Sequence, residues 1–343
     1  VEIAGASDVE ATFRELITRS GIDVSTIRPA GAGAANSAGV PSARTLDECL
    51  SELDALVGLD DVKRKVKQLI AVQRLSRARQ AQGQPVASAG LNLVFSGDPG
   101  TGKTTVARLV AEIYRALGLL SSGHLVEAGP SDLIAEYVGQ TPAKTMAKIE
   151  ESIGGVLFID EAYSLVEQGT GGYGREAIAT LVKAMEDHRD DLAIIVAGYT
   201  EPMMRFIKAN PGLQSRFARQ IYFENYSSGE LTTIFSAMCA EHRITASDEV
   251  MTLVKRHLDR NRTGGDNGNG RYVRKLFVQM YENLALRVAS GEDIDVSAIG
   301  SFSVDDVPST LESAPATATL EEALAELNAL VGLAEVKQRI TSL

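Results

Sequence analysis

One stretch, Leu91–Thr105, constrains this chain more than any other: LNLVFSGDPGTGKTT. An apolar run from Leu91 to Ser96 breaks at Gly97, Asp98, Pro99, Gly100, Thr101 and Gly102. Lys103, Thr104 and Thr105 then lead into the helical pattern VARLVAEIYRAL. The spacing G-x-x-x-x-G-K-T between a strand and a helix is that of a phosphate-binding loop. Its chemistry dictates the residue types. Glycines let backbone N–H groups converge on phosphate oxygens with no Cβ in the way. A helix starting near Lys103 offers unpaired N–H groups and the positive end of its dipole. Lys103 reaches the β- and γ-phosphates, and the Thr104 hydroxyl is placed to ligate Mg²⁺.

A second motif completes this chemistry. VLFIDE ends an apolar run with Asp160 and Glu161. Carboxylates at the carboxyl end of a parallel strand lie where ligands sit in such sheets. Asp160 is expected to hold Mg²⁺ opposite Thr104, and Glu161 to polarise the water that attacks the γ-phosphate.

Strands alternate with helices around these motifs. HLVEAG (124–129), GVLFID (155–160), LAIIVAGY (192–199) and RQIYFEN (219–225) read as strands. PSDLIAEY, TPAKTMAKIEES and REAIATLVKAMEDH read as helices. The alternation predicts a doubly wound parallel sheet. From Ser228 onward only helical periodicity remains, which predicts a small, separate all-helical domain.

The ends of the chain carry a repeat. TLEEALAELNALVGLAEVKQRITSL (319–343) matches TLDECLSELDALVGLDDVKRKVKQL (45–69) at fourteen of twenty-five positions. IDVSAI (294–299) likewise echoes IDVSTI (22–27), and each is followed by an Ala/Ser/Pro-rich segment. A period of about 270 residues is too long for a solenoid unit and fits a whole module copied in tandem. The expected divisions are a preceding tail and linker at 1–44, a nucleotide-binding domain at 45–226 and a helical lid at 227–305. A linker at 306–318 and the first helices of a following module at 319–343 complete the set.

Charge and cysteine content narrow the partners. A net charge of −11 argues against a general nucleic-acid binder, and the basic KRKVK at 63–67 reads as a solvated helix face. Cys49 and Cys239 are far apart and have no metal-ligand spacing, and the four histidines are scattered. No apolar run approaches the roughly 20 residues of a membrane span, and no signal-peptide pattern follows Val1. A reduced cytoplasmic protein is the expectation.

GDPGTGKTTVARLVAEIY, AEYVGQTPAKT, GGVLFIDEAYSL, VAGYTEPMMRFIKANPGLQSRF and NGRYVRKLF together resemble the CbxX/CfxQ family of AAA+ ATPases. That family includes the red-type Rubisco activases and the EccA ATPase of mycobacterial type VII secretion. The resemblance spans about residues 45–305 and implies an ASCE-type P-loop NTPase sheet with a C-terminal helical lid. It also implies ring-shaped hexamers with ATP bound between subunits. By the same resemblance Arg216 is the arginine finger acting on a neighbouring site, with Arg219 as the spare. Arg271 is the lid's sensor 2, with Arg274 competing for the role. Sensor 1 falls on Tyr199 or Thr200. Val57, Gly58 and Leu59 pack on the adenine, and Tyr137, Val138 and Gly139 form an aromatic–hydrophobic–Gly pore loop. Gln168–Gly174 is a candidate second pore loop. The resulting expectation is an ATP-hydrolysing motor that remodels a protein client. The alternatives are a nucleotide-bound scaffold with little turnover and a DNA-directed loader.

Overall fold

A computed structural model describes residues 44–85, 90–167, 172–262, 268–289 and 298–308. The tail 1–43, most of the proposed linker 306–318, the second repeat copy and residues 168–171 of the candidate second pore loop lie outside the described residues.

Five strands form one parallel sheet in the order β2-β3-β4-β1-β5. They are β1 (Leu93–Gly97), β2 (Leu125–Ala128), β3 (Val156–Ile159), β4 (Ala193–Gly198) and β5 (Gln220–Phe223). Side chains alternate across each strand, so an apolar run buried on both faces feeds two cores. Leu93, Phe95, Phe158 and Ile195 face one core; Val94, Leu157, Ile194 and Val196 face the other.

Helices cover both faces. On the first lie α1 (Leu46–Ala55), α2 (Asp60–Ala81) and α3 (Lys103–Ala116). Thr45 and Glu48 close a capping box at the start of α1, satisfying two backbone donors that would otherwise be orphaned. Gly58 and Leu59 take left-handed backbone (φ 59 for both) and turn the chain from α1 into α2. In the expected basic face, Lys63 bonds the Asp54 and Leu56 carbonyls across that turn, while Lys65 and Lys67 pair with Asp61 and Asp54.

The second face carries α5 (Thr141–Ser152), α7 (Tyr173–Asp187), α8 (Thr200–Lys208) and α9 (Pro211–Arg216), with the short α4 (Pro130–Leu133) and α6 (Ser164–Glu167) between strands and helices. The helix expected over PSDLIAEY stops at Leu133. Side chains from α5 take the backbone groups that a longer helix would use. Thr141 Oγ1 accepts from Ala135 N (3.2 Å), Thr145 Oγ1 donates to Leu133 O (2.9 Å), and Lys144 Nζ donates to Ile134 O (3.0 Å).

Beyond Tyr226 a third core gathers around Phe235, Phe277 and Phe302. It is built by α10 (Ser228–Glu241), α11 (Asp248–Arg262) and α12 (Asn269–Ala289). This domain is not all-helical. The two-residue strands β6 (Thr245–Ala246) and β7 (Ser301–Phe302) pair in parallel and are followed by a 3₁₀ turn at Val304–Asp306. Arg287 clamps that turn through Asp306 (2.8 and 2.9 Å).

Candidate active site

A cavity of about 590 Å³ opens at the carboxyl ends of β1, β3 and β4, under the start of α12. Position in the sheet explains its contents. With β4 between β1 and β3, the loop after β1 and the carboxylates after β3 flank one crevice, where open α/β sheets bind ligands.

The first carbonyls of the loop after β1 are taken up by hydrogen bonds. Lys103 Nζ donates to Gly97 O (2.9 Å) and Asp98 O (2.7 Å), and the Thr101 hydroxyl closes the loop on Asp98 O (2.8 Å). Gly102 caps α3 with φ 92 and no side chain, so the N–H groups of the first turn stay open to an anion. Gly97, Pro99, Gly100, Gly102, Lys103, Thr104 and Thr105 all reach the cavity wall. Asp98 and Thr101 do not. The Asp98 carboxylate instead accepts from Asn225 Nδ2 (2.7 Å), and Thr101 is wholly buried.

Asp160 and Glu161 line the opposite wall. Asp160 Oδ1 accepts from the Glu161 N–H (3.0 Å). Glu161 itself has φ 51, left-handed backbone that a non-glycine residue holds at a cost of about 1–3 kcal/mol. Strain of this kind concentrates at functional sites. Burial holds the Lys103 ammonium below its ordinary range; Asp160 and Asp98 oppose that shift and Arg271 adds to it. Lys103 and Arg271 are therefore two cations facing one space, an arrangement that favours a polyanion.

One wall is apolar. Leu56 and Val57 come from the turn that follows α1, and Ile234 and Met238 from successive turns of α10. Sequence reasoning found Val57 but saw α10 only as a helix. Its i, i+4 pair is no different locally from a core stripe. Gly58 and Leu59 sit behind this wall, with Leu59 Cδ1 3.6 Å from where a Cβ on Gly102 would lie. Arg271 and Arg274 both reach the cavity from α12. Of the two sensor 1 candidates, Tyr199 lines it and Thr200 does not. Tyr226 also lines it. Burial pushes its phenol up to about 12, and the O–H donates to Thr101 O (3.2 Å).

Three predicted groups lie elsewhere. Arg216, at the end of α9, pairs with Glu186 (3.1 Å), and its Nε is buried without a partner among the described residues. Arg219 lies in a groove between α2 and β5, beside Lys65 and Gln220. Tyr137 and Val138 project into solvent, 67% and 82% exposed, from the loop between α4 and α5.

Comparison with known proteins agrees with this geometry. Residues 93–225 match the ATPase family associated with various cellular activities (AAA), and residues 227–317 match the AAA lid domain. The chain is 41% identical over 250 residues to stage V sporulation protein K of Bacillus subtilis, covering 72% of this chain and 78% of that protein. It is 40% identical over 263 residues to protein CfxQ of Xanthobacter flavus, covering 76% and 83%. With the ESX-1 secretion system protein EccA1 of Mycolicibacterium smegmatis it shares 38% over 284 residues, 79% of this chain and 50% of that protein. Among solved structures, the FIGL-1 AAA domain matches with a TM-score of 0.52 at 18% identity, covering 74% and 80%. That is a likeness of fold alone.

Parallel sheet, phosphate loop, carboxylate pair and lid define an AAA+ enzyme, one that binds nucleotide and hydrolyses ATP. The chain belongs to the CbxX/CfxQ-type family of AAA+ ATPases.

Proposed function

We propose that the chain is an ATP-driven remodelling motor that assembles into a ring and works on a protein client in the cytoplasm. The observation that carries this reading is the pairing of the cavity over the phosphate loop with an exposed Tyr137-Val138 tip. An aromatic residue left in solvent on an anchored loop is suited to gripping an extended polypeptide by contact area.

In this reading the triphosphate enters between Lys103 and Arg271, and the Lys103 ammonium leaves the Gly97 and Asp98 carbonyls for the β- and γ-phosphates. Thr104 and Asp160, a hydroxyl and a carboxylate on facing walls, suit a hard cation that takes oxygen ligands. They would hold Mg²⁺, which neutralises phosphate charge when bound. Glu161 accepts the proton of the attacking water. Leu56, Val57, Ile234 and Met238 cover the base, Tyr199 contacts the γ-phosphate end as sensor 1, and Arg271 and Arg274 approach from the lid. Arg216 exchanges Glu186 for the phosphates of a neighbouring module, supplying positive charge in trans. The names of the relatives attach to sporulation and to secretion, so the motor is their common element rather than one client.

The repeat extends the proposal to a second module beginning at 319. Several cavity-wall and buried positions of the first copy keep their residues in the second, although buried Cys49 and Val66 become Ala323 and Ile340. The cavity wall Ala55, Leu56, Val57 corresponds to Ala329, Leu330, Val331, and the turn residue Gly58 to Gly332. Buried Leu53, Val62 and Leu69 correspond to Leu327, Val336 and Leu343.

The test is phosphate release by purified protein with and without Glu161→Gln, followed by recovery of bound protein on the ATP-loaded variant. Turnover lost in the variant with a client retained supports the motor. ATP binding without turnover in the wild type identifies a scaffold instead.

A further inference from the structure

Lys103 occupies the first two carbonyls of the phosphate loop. The next three are held from outside the loop. Asn269 Nδ2 donates to Pro99 O (3.2 Å), Gly270 N to Gly100 O (2.9 Å) and the Tyr226 hydroxyl to Thr101 O (3.2 Å). Two of these donors belong to the first turn of α12, and the third to the segment joining β5 to α10.

Asn269 is the centre of this arrangement. It is buried, 2% exposed, and begins α12 with left-handed backbone at φ 44. Its Oδ1 accepts from Tyr226 N (3.0 Å), and its Nδ2 also donates to Asn225 Oδ1 (2.8 Å). Asn225 Nδ2 in turn reaches the Asp98 carboxylate (2.7 Å). One side-chain amide thus joins the phosphate loop, the inter-domain connection and the lid helix. Only an amide donates and accepts in this way. Aspartate would lose both donor bonds, and an apolar residue would leave buried groups unpaired at about 1–3 kcal/mol each. Arg271 lies two residues further on the same helix and reaches the cavity.

We propose that Asn269 is a positioning residue that couples the phosphate loop to the lid, so that nucleotide displacing Lys103 from the loop carbonyls resets α12 and aims Arg271. The proposal rests on the reading of the cavity as an ATP site. Two discrete arrangements of the Lys103 ammonium, on the loop or on phosphate, provide the bistable element that such coupling needs.

The experiment measures Mg-ATP affinity, steady-state hydrolysis and amide hydrogen exchange in the full chain, for wild type, Asn269→Gly and Asn269→Asp. Glycine takes φ 44 without strain, so the first variant removes the bridge and keeps the backbone. Aspartate keeps the acceptor for Tyr226 N and loses the donors. Wild type is expected to gain protection in residues 269–280 on binding ATP. Both variants should bind ATP within about threefold of wild type, lose that protection, and fall about five- to tenfold in kcat, within the range by which mutations along a coupling network act. Should either variant fail to fold, Asn225→Ala removes the bonds to Asn269 and Asp98 but leaves Asn269 on Pro99 O and Tyr226 N, so a partial loss of lid protection and a smaller fall in kcat are expected, and wild-type values of both overturn the proposal. Full lid protection with wild-type kcat overturns the proposal, as does a rise in KM with kcat unchanged, which marks lost uniform binding. A wild-type chain that binds no ATP overturns the cavity reading, and the coupling with it.

Discussion

Two glycines in this molecule share a backbone conformation and almost nothing else. Gly100 (φ 74) and Gly139 (φ 78) are both left-handed. A Cβ at Gly100 would collide with the Gly268 carbonyl oxygen and lie 2.9 Å from Arg271 N, whereas a Cβ at Gly139 would meet nothing within 4 Å. The first glycine lets two domains close on each other over the cavity. The second bends an exposed loop tip where an added side chain would meet no neighbour. One loop is built by satisfying every carbonyl it has, the other by anchoring its base through Thr141, Lys144 and Thr145 and leaving Tyr137 and Val138 bare. In the proposed motor the contrast separates a site for chemistry from a site for contact.

The comparison breaks first at the carboxylates. Glu161→Gln should lower kcat by about 10²–10⁴-fold, the range for a lost general base, while ATP affinity stays within about threefold. A phosphate-release assay beside a binding titration reads both. Gly100→Ala comes next. Left-handed strain of about 1–3 kcal/mol adds to the collision with the lid, so the thermal midpoint should fall. ATP affinity should drop at least about tenfold, equivalent to 1.4 kcal/mol. Gly139→Ala meets only the left-handed cost of about 1–2 kcal/mol, with ATP affinity unchanged. If Gly139→Ala damages nucleotide binding as much as Gly100→Ala does, the two loops are not separable. Tyr137→Ala should leave stability within about 0.5 kcal/mol, as exposed substitutions do, keep basal hydrolysis within about twofold, and abolish client processing. The smallest effect near neutrality is on pH. The protonated ammonium binds phosphate, and burial lowers the Lys103 pKa, so ATP affinity weakens as pH rises, beginning below the ordinary lysine value of 10.5. Titrations across the alkaline range at constant ionic strength check the sign.

Legibility in the sequence followed the range of the interactions. The phosphate loop is local chemistry over fifteen residues, and β1, β3 and β4 are apolar on both faces, so all were readable from composition and spacing. What was missed depends on distant partners. Asn269 meets Tyr226, Asn225 and Pro99 across 43, 44 and 170 positions, and no pattern around NGRYV reports that. The β6 and β7 strands are two residues each, too short to show alternation. Helix α9 carries a usable local signal. Asn210 caps α9 through the Gly212 and Leu213 amides (2.7 and 3.3 Å) with proline at the first helical position, a recognised helix start. The over-extended helix after Pro130 failed for the opposite reason. Its periodicity was sound, but Thr141, Lys144 and Thr145 offered the backbone better partners.

The central claim is that the amides of the loop after β1, with Lys103, hold a triphosphate. Calorimetric titration of Mg-ATP into wild type and Lys103→Ala tests it directly. Losing one partner of a buried charged contact costs about 2–5 kcal/mol, so the variant should bind at least about 30-fold more weakly while its circular dichroism is unchanged. Equal affinities in two equally folded proteins would contradict it.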